Sequence, residues 1–195
     1  MCEEIELEKV VVLAMHGAPA SDFPKREMAE LFDLRGKLRH ASEETRASLQ
    51  RRHDELDAKM RSWPRTAEND PFFNGSQALA AQLRREMNCD VIVGFNEFCS
   101  PGVDEALDQA AAMRPRQVVI VTPMMTPGGA HSKAEIPEAI DGAQRRHPGI
   151  SFIYAWPFET AEIAKFLAVQ MEMFLIRKGD QPSALGQLND LKASS

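Results

Sequence analysis

The sequence predicts an α/β fold: a parallel four-stranded sheet flanked by helices, with an inserted helical segment. Four short apolar runs alternate with patterns typical of amphipathic helices, and this alternation favours a parallel sheet covered on both faces. The 195 residues include 44% hydrophobic and 27% charged side chains, as in an ordinary globular domain. We therefore predict one domain over residues 1–178, followed by a flexible tail at 179–195.

The apolar runs are predicted strands, because short continuous apolar segments are typical of strands buried on both faces. These runs cover residues 9–15, 90–95, 117–121 and 150–155. Helical patterns between and after them predict helices at 76–87, 101–113, 136–146 and 159–177. The carboxyl ends of parallel strands lie at one edge of a sheet, and reactive groups are usually found there.

Residues 25–75 form an additional segment between the first strand and the next helix. The part up to Trp63 is densely charged and has no proline after Pro24, which favours helix. Either a helical hairpin broken near residues 40–42 or one long helix fits, with a loop at 63–75. An apolar stripe is formed by Leu49, Leu56, Met60 and Trp63. We expect it to pack on a partner chain, to cover a cleft, or to pack on its own sheet or on the helix around residues 31–38.

Charge and cysteine content restrict location and partners. The chain has 23 Lys and Arg against 29 Asp and Glu, and this net charge of −6 argues against a general nucleic-acid binder. Three cysteines without a CxxC motif argue against a disulfide framework. The acidic amino-terminal segment is unlike a signal peptide, and no apolar run approaches the length of a membrane span. We expect a cytoplasmic protein with no membrane or nucleic-acid partner.

Three side chains that can bind a metal follow predicted strands. His16 comes after the first strand, Glu97 after the second and His131 after the third. Each alone is more often a hydrogen-bonded loop residue, and Glu97 also suits a helix cap. Together, two histidines and a carboxylate form a site for a borderline divalent metal that leaves coordination positions open.

The same three regions carry a family pattern. Residues 10–17 are an apolar strand ending in His-Gly, and residues 96–107 combine Asn-Glu with Ser-Pro-Gly and a helix start. Residues 118–137 contain a strand, the motif Gly-Gly-Ala-His and a Glu-Ile-Pro helix start. This pattern resembles the short CbiX-type sirohydrochlorin cobaltochelatases and ferrochelatases, the class II chelatases. The resemblance covers roughly residues 8–23 and 76–170, with Ala18 in place of the usual serine and Glu135 in place of aspartate.

The resemblance implies a lyase-type metal chelatase of cobalamin or siroheme biosynthesis. Such an enzyme inserts Co²⁺, Fe²⁺ or possibly Ni²⁺ into sirohydrochlorin or a related tetrapyrrole, with the metal as substrate and no organic cofactor. It assigns metal binding and catalysis to His16, His131 and Glu97. A homodimer is also expected, because larger class II chelatases build the cleft from two similar halves and this chain holds one copy of each block.

Further residues are expected to contact the tetrapyrrole. Small or apolar residues beside the histidines suit the face of the macrocycle: Gly17, Met124, Met125, Gly128 and Gly129. Sirohydrochlorin carries carboxylates, so a basic rim is expected from Lys25, Arg26, Arg35, Arg39 and Lys133.

Two other functions fit part of the pattern. A non-catalytic metal carrier could use the same three side chains without a tetrapyrrole. A histidine-dependent phosphohydrolase is less consistent, because it needs arginines beside the histidine, and neither Met15–Gly17 nor residues 126–131 contain one.

Overall fold

All four predicted strands are present in the computed structural model, which describes residues 8–179, and they pair in parallel. The sheet has the order β2-β1-β3-β4. Three strands have the predicted bounds, and the fourth is one residue shorter at each end. The strands are β1 (Lys9–Met15), β2 (Asp90–Phe95), β3 (Gln117–Val121) and β4 (Ser151–Tyr154). The predicted fold class is confirmed.

Within residues 8–179, six α-helices and one π-helical turn connect and follow the strands. The helices are α1 (Lys25–Leu38), α2 (Glu43–Arg61), α3 (Pro71–Met87), α4 (Val103–Ala112), α5 (Ile136–Arg146) and α6 (Thr160–Gly179), with the π-helical turn at His131–Glu135. The insertion adopts the hairpin alternative, since the chain leaves the helical conformation near residues 39–42. We call α1 and α2 the inserted hairpin.

Helix α3 begins five residues before the predicted start, so the prediction of a loop through residue 75 is wrong at its end. The Asp70 side chain accepts a hydrogen bond from the Phe73 backbone N–H at 2.8 Å and caps the helix. Pro71 occupies the first turn, where its missing N–H costs nothing. Gly75 is tolerated inside the helix because these two start signals outweigh it.

Alternate side chains of β1 enter two cores on opposite faces of the sheet. Val11, Leu13 and Met15 pack with the inserted hairpin and α3, whereas Val10, Val12 and Ala14 pack with α4 and α5. Leu56 and Met60 are 2% and 0% exposed and belong to the first core. The hypothesis that this stripe covers a partner chain is therefore wrong, because the stripe packs against its own sheet.

The chain divides into two compact units between Trp156 and Pro157, and α6 lies in the second unit. The single domain over 1–178 stays a prediction. Of the predicted tail, residue 179 ends α6, and residues 180–195 lie outside the described residues. None of the helices within residues 8–179 has both the length and the apolar character needed to cross a membrane.

Candidate metal centre

His16 and Glu97 are neighbours because the parallel pairing of β1 with β2 continues past the ends of both strands. The Asn96 N–H donates to the Met15 carbonyl, and the Glu97 N–H donates to the His16 carbonyl, each at 2.9 Å. The Asn96 side-chain amide also donates to the Met15 carbonyl at 2.8 Å. These bonds fix the two loops relative to each other at the carboxyl edge of the sheet.

Gly17 permits this close approach. Its φ of +99° is a conformation that residues with a side chain rarely adopt. A Cβ built on Gly17 would lie 1.9 Å from the Glu97 carbonyl oxygen, far inside contact distance. Gly17 therefore has a structural role in the centre, and its contact with a tetrapyrrole stays a prediction.

His131 approaches from the other side of β1, at the start of the π-helical turn that follows β3. The ring centroids of His16 and His131 are 4.6 Å apart, and the ring planes are nearly perpendicular at 88°. One ligand atom from each of His16, Glu97 and His131 lies within 4.8 Å of the other two. Since a metal ion is bound at about 2.0–2.2 Å from nitrogen or oxygen, modest side-chain rotations would bring all three atoms into one coordination sphere.

Hydrogen bonds determine which ring nitrogens face the centre. Nδ1 of His16 lies 2.9 Å from the Gly17 carbonyl oxygen, and Nδ1 of His131 lies 2.7 Å from a Glu135 carboxylate oxygen. Both oxygens are acceptors, so each Nδ1 donates to its oxygen, and Nε2 is the ring nitrogen available to a metal. This arrangement is typical of metal-binding histidines, whose second nitrogen donates to a carbonyl or carboxylate.

Glu97 also contacts Arg35, a predicted member of the basic rim. Arg35 on α1 donates to Glu97 Oε1 at 3.2 Å and to Asp57 Oδ1 at 3.3 Å. Arg35 therefore directs donors at two carboxylates of the protein itself, and its predicted contact with a tetrapyrrole as part of the basic rim stays a prediction. The local sequence holds no signal for the contact of Arg35 with Glu97, because 62 positions separate the two residues.

The segment before His131, loop 122–130, holds most of the residues expected to contact the tetrapyrrole. Met124 and Met125 are half-buried, whereas Gly128, Gly129 and Lys133 are exposed. None of these five residues is linked by a described hydrogen bond to His16, Glu97 or His131. Their predicted contacts with substrate stay predictions.

Two aromatic residues hold the backbone near the start of loop 122–130 and just after His131. The Trp156 indole N–H donates to the Met124 carbonyl at 3.2 Å, and the Tyr154 hydroxyl donates to the Ser132 carbonyl at 3.0 Å. Burial raises the pKa of Tyr154 to about 12, so its hydroxyl remains a donor at neutral pH. Neither residue is among the predicted site residues, although an aromatic pair at the end of a predicted strand is a signal for such a role.

The α/β sheet brings two histidines and a carboxylate together at its carboxyl edge, and these side chains could hold a divalent metal with coordination positions left open. A family model described as CbiX matches residues 73–170, about half of the chain. The chain belongs to the CbiX family. The matched region includes Glu97 and His131 and does not reach His16.

Curated relatives are similar over part of the chain. This chain is 32% identical to a sirohydrochlorin cobaltochelatase of Priestia megaterium over 97 aligned residues. The aligned region covers 49% of this chain and 31% of the relative. This chain is 36% identical over 72 residues to a sirohydrochlorin cobaltochelatase of Methanothermobacter thermautotrophicus, covering 35% and 50%. The matches therefore span between about a third and a half of these relatives.

One solved structure is similar to this chain over more of its length. It is a putative cobalamin biosynthesis CbiX protein of Marinobacter aquaeolei, with 15% identity and a TM-score of 0.48 over 87% of this chain and 98% of that chain.

Proposed function

We propose that this protein inserts a divalent metal ion into sirohydrochlorin or a related tetrapyrrole. The observation that carries the proposal is the convergence of His16, Glu97 and His131, with one ligand atom from each within 4.8 Å of the others. The names of the curated relatives, sirohydrochlorin cobaltochelatase and ferrochelatase, support this substrate. Co²⁺, Fe²⁺ and Ni²⁺ all suit imidazole and carboxylate ligands.

The ligand arrangement suits transfer rather than storage. Three ligands from one sheet edge leave the remaining coordination positions of the metal open. His16 is exposed, so an incoming macrocycle has access to those positions. Its four pyrrole nitrogens would replace the protein ligands as the metal moves into the ring.

Two protons leave the macrocycle when the metal enters, one from each inner N–H group. Glu97 and the Nε2 atoms of His16 and His131 are the nearest proton acceptors in the centre. As each ligand separates from the metal, its lone pair becomes available for a pyrrole proton. The net reaction exchanges one divalent metal ion for two protons, which pass to solvent.

Metal insertion by histidine variants tests the proposal. Sirohydrochlorin is incubated anaerobically with Co²⁺, Fe²⁺ or Ni²⁺, and the absorbance change is followed with and without protein to subtract the spontaneous reaction. We expect His16→Ala and His131→Ala to reduce the catalysed rate at least ~100-fold, because loss of a direct ligand exceeds the 10–100-fold effect of outer residues. Wild-type rates in folded variants of both would refute the proposal.

A metal carrier is the second candidate, since the same three side chains would hold an ion without a tetrapyrrole. The absorbance spectrum of sirohydrochlorin added without metal separates the two functions. A spectral shift on binding supports the chelatase, whereas Co²⁺ binding with no tetrapyrrole binding supports the carrier.

We also propose a homodimer in the cytoplasm. The chain has one His-Gly block and one Gly-x-His block, which supply one wall of a cleft, and two-fold dimers are the commonest closed assembly. Sedimentation at micromolar concentration tests this state. A mass near 21.8 kDa contradicts the dimer, and twice that mass supports it.

A further inference from the structure

The inserted hairpin is connected to Glu97 by a continuous network of charged groups. Arg35 bridges Glu97 and Asp57, and the second oxygen of Asp57 accepts a hydrogen bond from Arg61 Nε at 2.6 Å. Arg61 then donates to the carbonyls of Asn96 and Cys99, each at 3.1 Å. The network therefore begins at the side chain of Glu97 and returns to the backbone on both sides of it.

Contacts other than Glu97 hold the Arg35 guanidinium in place. Its carbon atom lies 4.8 Å from the centroid of the Phe98 ring, within cation–π distance. Its bond to Asp57 would remain if Glu97 turned toward a metal. The Arg35 side chain is only 24% exposed, so solvent screens its charge incompletely.

We propose that Arg35 is a positioning residue that competes with the metal ion for Glu97. It holds Oε1 of the carboxylate and leaves Oε2 for the metal, and its positive charge lies within several ångströms of any ion bound there. The inference rests on the proposed metal site. Its consequence is a weakly held ion, which a centre that passes its metal to a macrocycle requires.

Two effects of Arg35 oppose each other, and charge outweighs positioning. Restraining Glu97 favours metal binding, but the gain is limited to the conformational entropy of one side chain. Repulsion between the guanidinium and a divalent ion is doubled by the charge of the ion and persists in a partly buried site. We therefore expect removal of the Arg35 charge to tighten metal binding roughly tenfold.

Titration of the full-length chain with Co²⁺ alone measures this effect without a tetrapyrrole. Arg35→Gln should bind Co²⁺ roughly tenfold more tightly than wild type, and Arg35→Lys, which keeps the charge, should stay within about twofold. Asp57→Asn should weaken binding several-fold, because it removes the negative charge that balances Arg35 and Arg61. Structural damage would weaken binding in every variant, so the opposite signs distinguish competition from misfolding.

Arg52→Gln is the matched control. Arg52 lies on the same hairpin and pairs with Glu30 and Glu55, and no described contact joins it to Glu97. The affinity of the Arg52→Gln variant for Co²⁺ should equal that of the wild-type protein.

The possible failures are distinguishable. If His16→Ala abolishes Co²⁺ binding but Arg35→Gln leaves it unchanged or weaker, the role of Arg35 is refuted and the metal site stands. If Co²⁺ binding does not depend on His16, the proposed site and this inference both fail. If the Arg35 and Asp57 variants shift affinity in opposite directions but no tetrapyrrole is metallated, the inference stands and the proposed chelatase function fails.

Discussion

Loop 96–99, which carries Glu97, and loop 122–130, which leads to His131, border the same candidate centre with different support. In loop 96–99 the carbonyls of Asn96, Phe98 and Cys99 all accept hydrogen bonds from Arg61 or Arg65. Phe98 and Cys99 are buried, and burial raises the pKa of the Cys99 thiol, which argues against a thiolate ligand. Residues 126–130 of the other loop are all exposed.

This difference fits two tasks of the proposed centre. The inserted hairpin and the residues after it fix the Glu97 side, so this wall would keep its geometry if a metal were exchanged. The glycine-containing loop on the His131 side is exposed in its middle. We therefore propose that a planar substrate would lie on the His131 side, whereas the Glu97 side would set the position of the metal.

The largest loss of stability is expected where Gly17, after β1, meets loop 96–99, after β2. Gly17→Ala should lower the free energy of unfolding by about 5 kcal/mol or more, because the new Cβ would collide with the Glu97 carbonyl at a φ that alanine avoids. Urea denaturation followed by circular dichroism measures this loss. A folded variant with wild-type stability would show that the two loops are not in contact as described.

A slightly smaller loss is expected at the buried ion pair behind loop 96–99. Arg65 and Asp70 are 2.8 Å apart with side chains 6% and 1% exposed, and Arg65 also bonds the carbonyls of Ala18 and Phe98. Arg65→Met should cost about 3–4 kcal/mol of stability, since it leaves the Asp70 charge buried without its partner.

Arg52→Met is the control for this variant, because Arg52 is an exposed arginine paired only at the surface. Its denaturation midpoint should stay close to that of wild type. Equal losses in the two variants would contradict the view that Arg65 supports loop 96–99 from within.

The sequence predicts the strands well because each is a short apolar run between polar segments. It also predicts that His16, Glu97 and His131 follow adjacent strands, since parallel topology places their ends at one edge. It could not choose between a hairpin and a long helix, because residues 39–42 contain neither glycine nor proline. The contact of Arg35 with Glu97 depends on how the hairpin packs, and no local pattern encodes that packing.

On the His131 side, the next effect is expected at Glu135, the hydrogen-bond partner of His131. Glu135→Ala should weaken Co²⁺ binding about 10–100-fold, because His131 would lose the acceptor that orients its ring and favours the Nδ1–H tautomer. Glu135→Gln retains an acceptor oxygen and should recover most of the affinity. Calorimetric titration of both variants tests this, and equal affinities for the alanine variant and wild type would exclude the orienting role.

The smallest effect is expected in the middle of the open loop. Gly128 has a φ of +114°, but no atom lies within 4 Å of a Cβ built on it. Gly128→Ala therefore introduces backbone strain without a collision, and an exposed loop can relax much of that strain. We expect a loss of about 1 kcal/mol, at the lower limit for a strained conformation. Urea denaturation of Gly128→Ala beside Gly17→Ala compares two glycines that share a positive φ and differ in their surroundings. A loss at Gly128 as large as that at Gly17 would mean that loop 122–130 is as closely packed as loop 96–99.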